Sequence, residues 1–125
     1  MLEDAFIPLL GRPDAISLYH ELESEMLKRF PEVEIRVSKT QIGFFHGCGF
    51  AWAWPPRRKR EMGLGFSLGL PEHVESPQIS FATEPYPGRW THHLLIASIQ
   101  DLDTQLWTWV EQAYHFAAFR SRKIP

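Results

Sequence analysis

Residues 62–70, MGLGFSLGL, alternate without a fault. Met62, Leu64, Phe66, Leu68 and Leu70 fall on one side, and Gly63, Gly65, Ser67 and Gly69 on the other. Such alternation belongs to a β-strand, whose successive side chains point to opposite faces. A strand with one large apolar side and one almost bare side needs a packed layer against the first, so the chain has to build a sheet covered on at least one face. Pro71 ends the run.

The same stretch contains GFSLG, residues 65–69, which fits the G-x-S-x-G pattern of a hydrolase nucleophile, and HGCG at residues 46–49 resembles an oxyanion-hole loop. In chain order Ser67, then Asp101 or Asp103, then His115 would complete a triad. A nucleophile elbow puts its serine at a sharp turn between a strand and a helix. Ser67 sits inside the alternation instead, and the short interval between the two patterns leaves little room for intervening elements. The match is read as a coincidence, and Ser67 is expected to tolerate alanine at a cost of about 0.5 kcal/mol. Nor is GLGFSLG a dinucleotide fingerprint, because its third glycine position is Leu68.

Around this strand the chain reads as helix, strands, helix. Pro13 suits a helix first turn, and Ala15, Leu18, Tyr19, Leu22, Met26 and Phe30 recur at helical steps until Pro31. The other side carries Glu21, Glu23, Glu25, Lys28 and Arg29. Val33, Ile35 and Val37 alternate with polar residues, and residues 42–46 and 49–54 are rich in strand formers. Residues 71–88 hold four prolines and read as a long loop with a short extended piece at 79–82. Residues 89–97 form a further strand. Ser98 stands at capping-box distance from Asp101, and Leu102, Leu106, Trp109, Ala113 and Phe116 mark the buried stripe of a last helix. Strands that follow one another through short connections favour antiparallel pairing. The expectation is one α+β domain over residues 1–125, with an antiparallel sheet of four or five strands between the two helices in sequence and both helices on one face.

The bare side of the glycine strand needs something over it, because glycine removes cross-strand contacts. In the hairpin turned by PPRRKRE, two registers compete. In one, Trp54 stands opposite Met62 and all large residues share a face. In the other, slipped by one residue, Trp52 and Trp54 lean over the glycines while Ala51 and Ala53 join Leu64 and Phe66 under the helices. The second is preferred, since it leaves no bare glycine face to water. It would give the open face two tryptophans on a glycine floor, a patch suited to a ligand or partner. The residues expected to bind there are Trp52, Trp54, Gly63, Gly65 and His93.

Composition narrows the setting. Apolar residues make up 44% and charged residues 22%, ordinary values for a globular chain. Net charge is −2, which makes nucleic acid an improbable main partner. The single Cys48 forms no intrachain disulfide and suits a reducing compartment. MLEDAFIPLLGRP lacks the basic start of a signal peptide, and no long apolar run implies a membrane span. A cytoplasmic protein is expected.

GRPDAISLYHELES, GFAWAWPPRRKREMGLGFSLG and GRWTHHLLIAS followed by QDLDTQLWTWVEQAYHFA resemble a bacterial family of domains of unknown function, DUF5655-like, from about Phe6 to Phe116. The resemblance rests on the strand motif at His92, the helix start at Asp101 to Asp103, and the Ala113–Tyr114 pair. It implies a helix, strand-block, helix layout and a bacterial cytoplasmic setting, and carries over no catalytic residue. In fold, such a layout is also similar to the frataxin-like iron chaperones.

Against the plain readings stand a few chemical ones. His46 and Cys48, with His92 or His93 from another strand, could ligate zinc or iron, since imidazole and thiolate are the usual donors. His92 and His93, adjacent on a strand, must face opposite ways, with His92 the inward, hydrogen-bonded one. The basic run Arg57, Arg58, Lys59 and Arg60 reads as a solvated turn. Glu21, Glu25 and Asp14 could imitate an acidic iron-binding ridge, though a charged helix exterior explains them. The leading expectation is a non-catalytic ligand-binding or protein-interaction module acting through the open sheet face, without cofactor. A metal-binding or chaperone protein and a small hydrolase are the alternatives. Trp107, Val110, Tyr114 and Phe119, expected beside the last helix's stripe, favour a homodimer.

Overall fold

The computed structural model describes residues 7–58 and 60–123. The first residues of the segment weighed as a leader, 1–6, and Lys59 of the basic run lie outside the described residues. Helix α1, Pro13–Arg29, opens on its proline, and the Phe30 N–H closes it by donating to the Met26 carbonyl. Ala15, Leu18, Tyr19, Leu22, Met26 and Phe30 are all buried, as their spacing requires. Glu23 departs from the expected charged side. It too is buried, and its Oε2 accepts the Tyr19 hydroxyl at 2.7 Å. Burial, with the carboxylate beside it, raises the Tyr19 pKa, so the hydroxyl remains a donor.

The sheet has six strands rather than four or five: β1 Glu34–Val37, β2 Ile42–His46, β3 Cys48–Trp54, β4 Leu64–Leu70, β5 Ile79–Tyr86 and β6 Arg89–Ile96. Their order is β1-β2-β3-β4-β6-β5, and every neighbouring pair is antiparallel. β5 extends well beyond the short piece expected within a loop. It is an edge strand, largely exposed, containing Pro85, with register shifts on both sides of its regular pairs. An edge position is where a strand can carry a proline without losing a ladder bond.

β4 begins at Leu64, not Met62. Met62 is exposed, and Gly63 turns the chain at φ +104 while its N–H donates to Asp14 Oδ2 at 2.6 Å. From there Leu64, Phe66, Leu68 and Leu70 enter one core cluster together with residues of both helices. Trp54 pairs with Gly65 and Ala53 with Phe66, a register three residues from the Met62 pairing rather than the expected one. An odd slip keeps the expected faces, with Ala51 and Ala53 buried beside Leu64 and Phe66, but Trp52 comes opposite Ser67 instead of a glycine. β3 also carries a bulge: Phe44 pairs with Ala51 and Phe45 with Gly49, leaving Phe50 as the extra residue. Phe50 and Ala51 are consequently both buried. Phe50 meets Phe30 and Tyr114 edge-on, while Tyr19 stacks on Phe44.

Helix α2, Thr104–Lys123, starts later than the Ser98 spacing implies. The Asp101 carboxylate accepts the N–H groups of Ala97 and Ser98 and so serves the short 3-10 turn Ile99–Asp101. Asp103 caps α2 itself, accepting the Leu106 N–H at 2.9 Å. The buried arc is wider than the expected stripe. Trp107 and Val110 belong to the core, and Tyr114 is half-buried against Phe30 and His46, so of the residues expected to favour a homodimer Phe119 is the exposed one. Among the described residues, no helix is long and apolar enough to cross a membrane.

Candidate functional site

The face of β3 and β4 away from the core is built from aromatic rings laid on glycines. Trp54 covers Gly65 so closely that the glycine has no room for a Cβ. Trp52 does the same over Gly49, where a Cβ would meet the indole at 2.7 Å, and Phe45 lies as close over Gly43. Arg36 in turn rests 4.1 Å above the Phe45 ring. The glycines are thus seats for rings, an arrangement that restores the packing that bare glycine gives up.

From its seat Trp54 reaches across to Ser67. The indole Nε1–H donates to Ser67 Oγ at 2.8 Å, and the same oxygen stands 2.8 Å from His93 Nδ1. Ser67 pairs with His93, and Trp54, paired two residues away with Gly65, reaches it diagonally, so the three polar atoms form one row across β3, β4 and β6. A hydroxyl that accepts the indole proton still has its own to give, and His93 Nδ1 takes it when the ring proton resides on Nε2. Phe81 of β5 stacks on the imidazole at 4.4 Å, nearly parallel. Burial, and then the nearby charge of Arg57, lower the His93 pKa, which favours the neutral ring.

Above this row opens a groove of about 680 Å³, walled by Trp54, Phe81, His93, Arg57, Arg58 and Glu61 among others. Its basic wall is the turn between β3 and β4, and that turn is held from below. Arg12, the residue that precedes α1, donates to the carbonyls of Pro56, Arg58 and Glu61 at 2.9 to 3.0 Å. One guanidinium thereby fixes three points of the turn.

Of the residues expected to form a site, Trp54, Gly65 and His93 come together here, and Trp52 lies alongside. Gly63 stands apart at the entrance to β4, bound to α1 through Asp14. Ser67, expected to be inert, is the centre of the hydrogen-bonded row and only 4% exposed. The remaining triad candidates are elsewhere, with Asp101 and Asp103 serving helix starts and His115 exposed beside Glu111. His92 is fully buried, and its Nε2 accepts the Val74 N–H at 2.9 Å. Its Nδ1 has no partner at hydrogen-bonding geometry, and burial, with His73 nearby, lowers the pKa of the ring. His46 stacks on Tyr114. Among the described residues, no three His, Cys, Asp or Glu side chains are grouped to share a metal, so His46, Cys48 and His92 do not meet, nor do Asp14, Glu21 and Glu25. Asp14 is engaged with Gly63 and Glu25 with Arg29.

Arg12, Arg57, Arg58 and Phe81 were not among the expected site residues. The basic run was the one visible signal, and nothing local says that a turn will fold over a sheet face. No curated protein and no solved structure matches the chain. Residues 9–117 match the model of the family described as Domain of unknown function (DUF5655), and the chain belongs to that family.

Proposed function

We propose that this domain is a non-catalytic binding module, with both helices on one face of its sheet and a ligand groove on the other. The observation that carries this reading is the Trp54–Ser67–His93 row at the base of a groove of about 680 Å³. That size lies within the usual range for small-molecule sites, which combine mostly apolar walls with a few fixed polar groups. Two-dimensional NMR tests it: small aromatic compounds should shift the Trp54 indole N–H before those of Trp107 and Trp109, which lie in the core. A fragment library that leaves the Trp54 signal unmoved at millimolar concentration would sink the proposal.

A hydrolytic reading has one observation in its favour, the 2.8 Å separation of Ser67 Oγ and His93 Nδ1. Against it, Ser67 is almost wholly buried and its oxygen is occupied by the indole proton. Hydrolysis of p-nitrophenyl acetate that disappears in Ser67→Ala would reinstate it.

A further inference from the structure

Two cationic side chains, Arg57 and Arg58, border the groove. Arg57 and Arg58 project from the turn, and among the described residues neither pairs with a carboxylate. His93, with Nδ1 taken by Ser67, has Nε2 left to donate. Glu61 is the acidic member of the wall. The other walls are flat: Trp54 is fixed on Gly65 and tied by its N–H, and Phe81 is stacked on His93. Neighbouring cationic groups that are not ion-paired, next to aromatic faces already ordered, match a ligand that is flat at one end and negative at the other. Ordered rings lose little freedom when a ligand stacks on them, and a guanidinium fork fits a carboxylate or phosphate.

We propose that the groove takes a planar organic anion, its ring against Trp54 and Phe81 and its carboxylate or phosphate held by Arg57 and Arg58. This rests on the reading of the groove as a binding site. The anchoring of the turn by Arg12 supports it, since Arg58 and the flanking Pro56 and Glu61 are held by their carbonyls before any ligand arrives. The class includes free aromatic acids and nucleotides. A long polyanion is less favoured, because the chain carries a net charge of −2.

Two matched probe pairs test the idea: benzoate with benzamide, and adenosine monophosphate with adenosine. Each is titrated into the full chain at low salt while the Trp54 indole N–H and the His93 ring signals are followed by NMR. The anionic member of at least one pair should bind about tenfold or more tightly than its neutral partner, the worth of a charge-assisted hydrogen bond. The pair that responds identifies a carboxylate or a phosphate. Arg57→Gln and Arg58→Gln should each weaken the anion and leave the neutral compound unchanged. The groups facing His93 include Arg57, Arg58 and Glu61 from the turn and the Ser67 hydroxyl from β4, while the adjacent His92 lies on the other face. Saturation with the anion should therefore raise the His93 pKa by offsetting Arg57. Equal affinity for charged and neutral members, or an anion that binds the double arginine variant undiminished, would overturn the inference while leaving the groove a binding site. No movement of Trp54 with any of the four compounds would overturn both.

Discussion

Trp54 rests on Gly65, and the glycine is what lets it do so, for the indole occupies the space where any other residue would place its Cβ. Gly65→Ala should therefore push the ring from its seat and part it from Ser67. A cost of about 1–3 kcal/mol, that of overpacking a filled site, is expected in urea unfolding. Gly69 is the control, since a Cβ there meets nothing within 4 Å, and Gly69→Ala should unfold like the parent.

Ser67→Ala removes the atom that both Trp54 Nε1 and His93 Nδ1 engage. Leaving a partly buried donor and acceptor unmatched should cost about 1–3 kcal/mol, more than a mid-strand serine would suggest. An unfolding midpoint unchanged from the parent would show that water replaces the hydroxyl without loss.

Phe66 faces the core and is fully buried. Phe66→Ala should lose about 3–5 kcal/mol, a large part of the stability of a domain this size. Calorimetry that finds a single, little-shifted transition would contradict the assignment of the core face.

Stability should depend on pH through two histidines. His92 accepts a backbone proton at Nε2 and His93 meets Ser67 at Nδ1. Burial lowers both pKa values, aided by His73 for His92 and by Arg57 for His93. The unfolded chain takes up these protons near about pH 6.5, before the folded one does. Their full contribution is thus present above that pH, declines as pH falls through it, and is lost once the lower folded values are passed. The urea midpoint should be lower at about pH 5.5 than at about pH 7.5, a window kept above ordinary carboxylate titration. A flat profile would mean that neither ring needs to be neutral.

Arg12→Ala should free the turn without unfolding the sheet, because the residue's side-chain contacts are to turn carbonyls. Limited trypsin digestion followed by mass spectrometry should show faster cleavage after Arg57 and Arg58. Cleavage at the parent's rate would show that the turn holds itself.

What the sequence displayed follows from what periodicity can carry. The α1 stripe and the β4 alternation were legible because each buries one side of a regular element. The face that Trp52 and Trp54 take was legible because bare glycines need a cover, but the register was not, since any odd slip serves that need and the chain adopts one of three residues. β5 was legible only over 79–82, since an exposed edge strand has little reason to alternate and Pro85 argues against its second half. Phe50 broke the pattern because a bulge turns two successive residues the same way. The Ser67–His93 contact needed the knowledge that β6, rather than β5, lies next to β4. A β5 placed there would have brought a different residue to the serine.

Arg12 and Asp14 rivet the head of α1 to both ends of the β3–β4 turn, the first through three carbonyls and the second through the Gly63 N–H. Mechanically the basic wall of the groove is then a lip on the helix more than a loop of the sheet. A tilt of α1 would carry that lip with it and widen or narrow the mouth, while the ladder beneath stayed paired. Lengthening the turn would spare the fold and loosen the lip, so the spacing between Trp54 and Leu64 sets the gauge of what can enter.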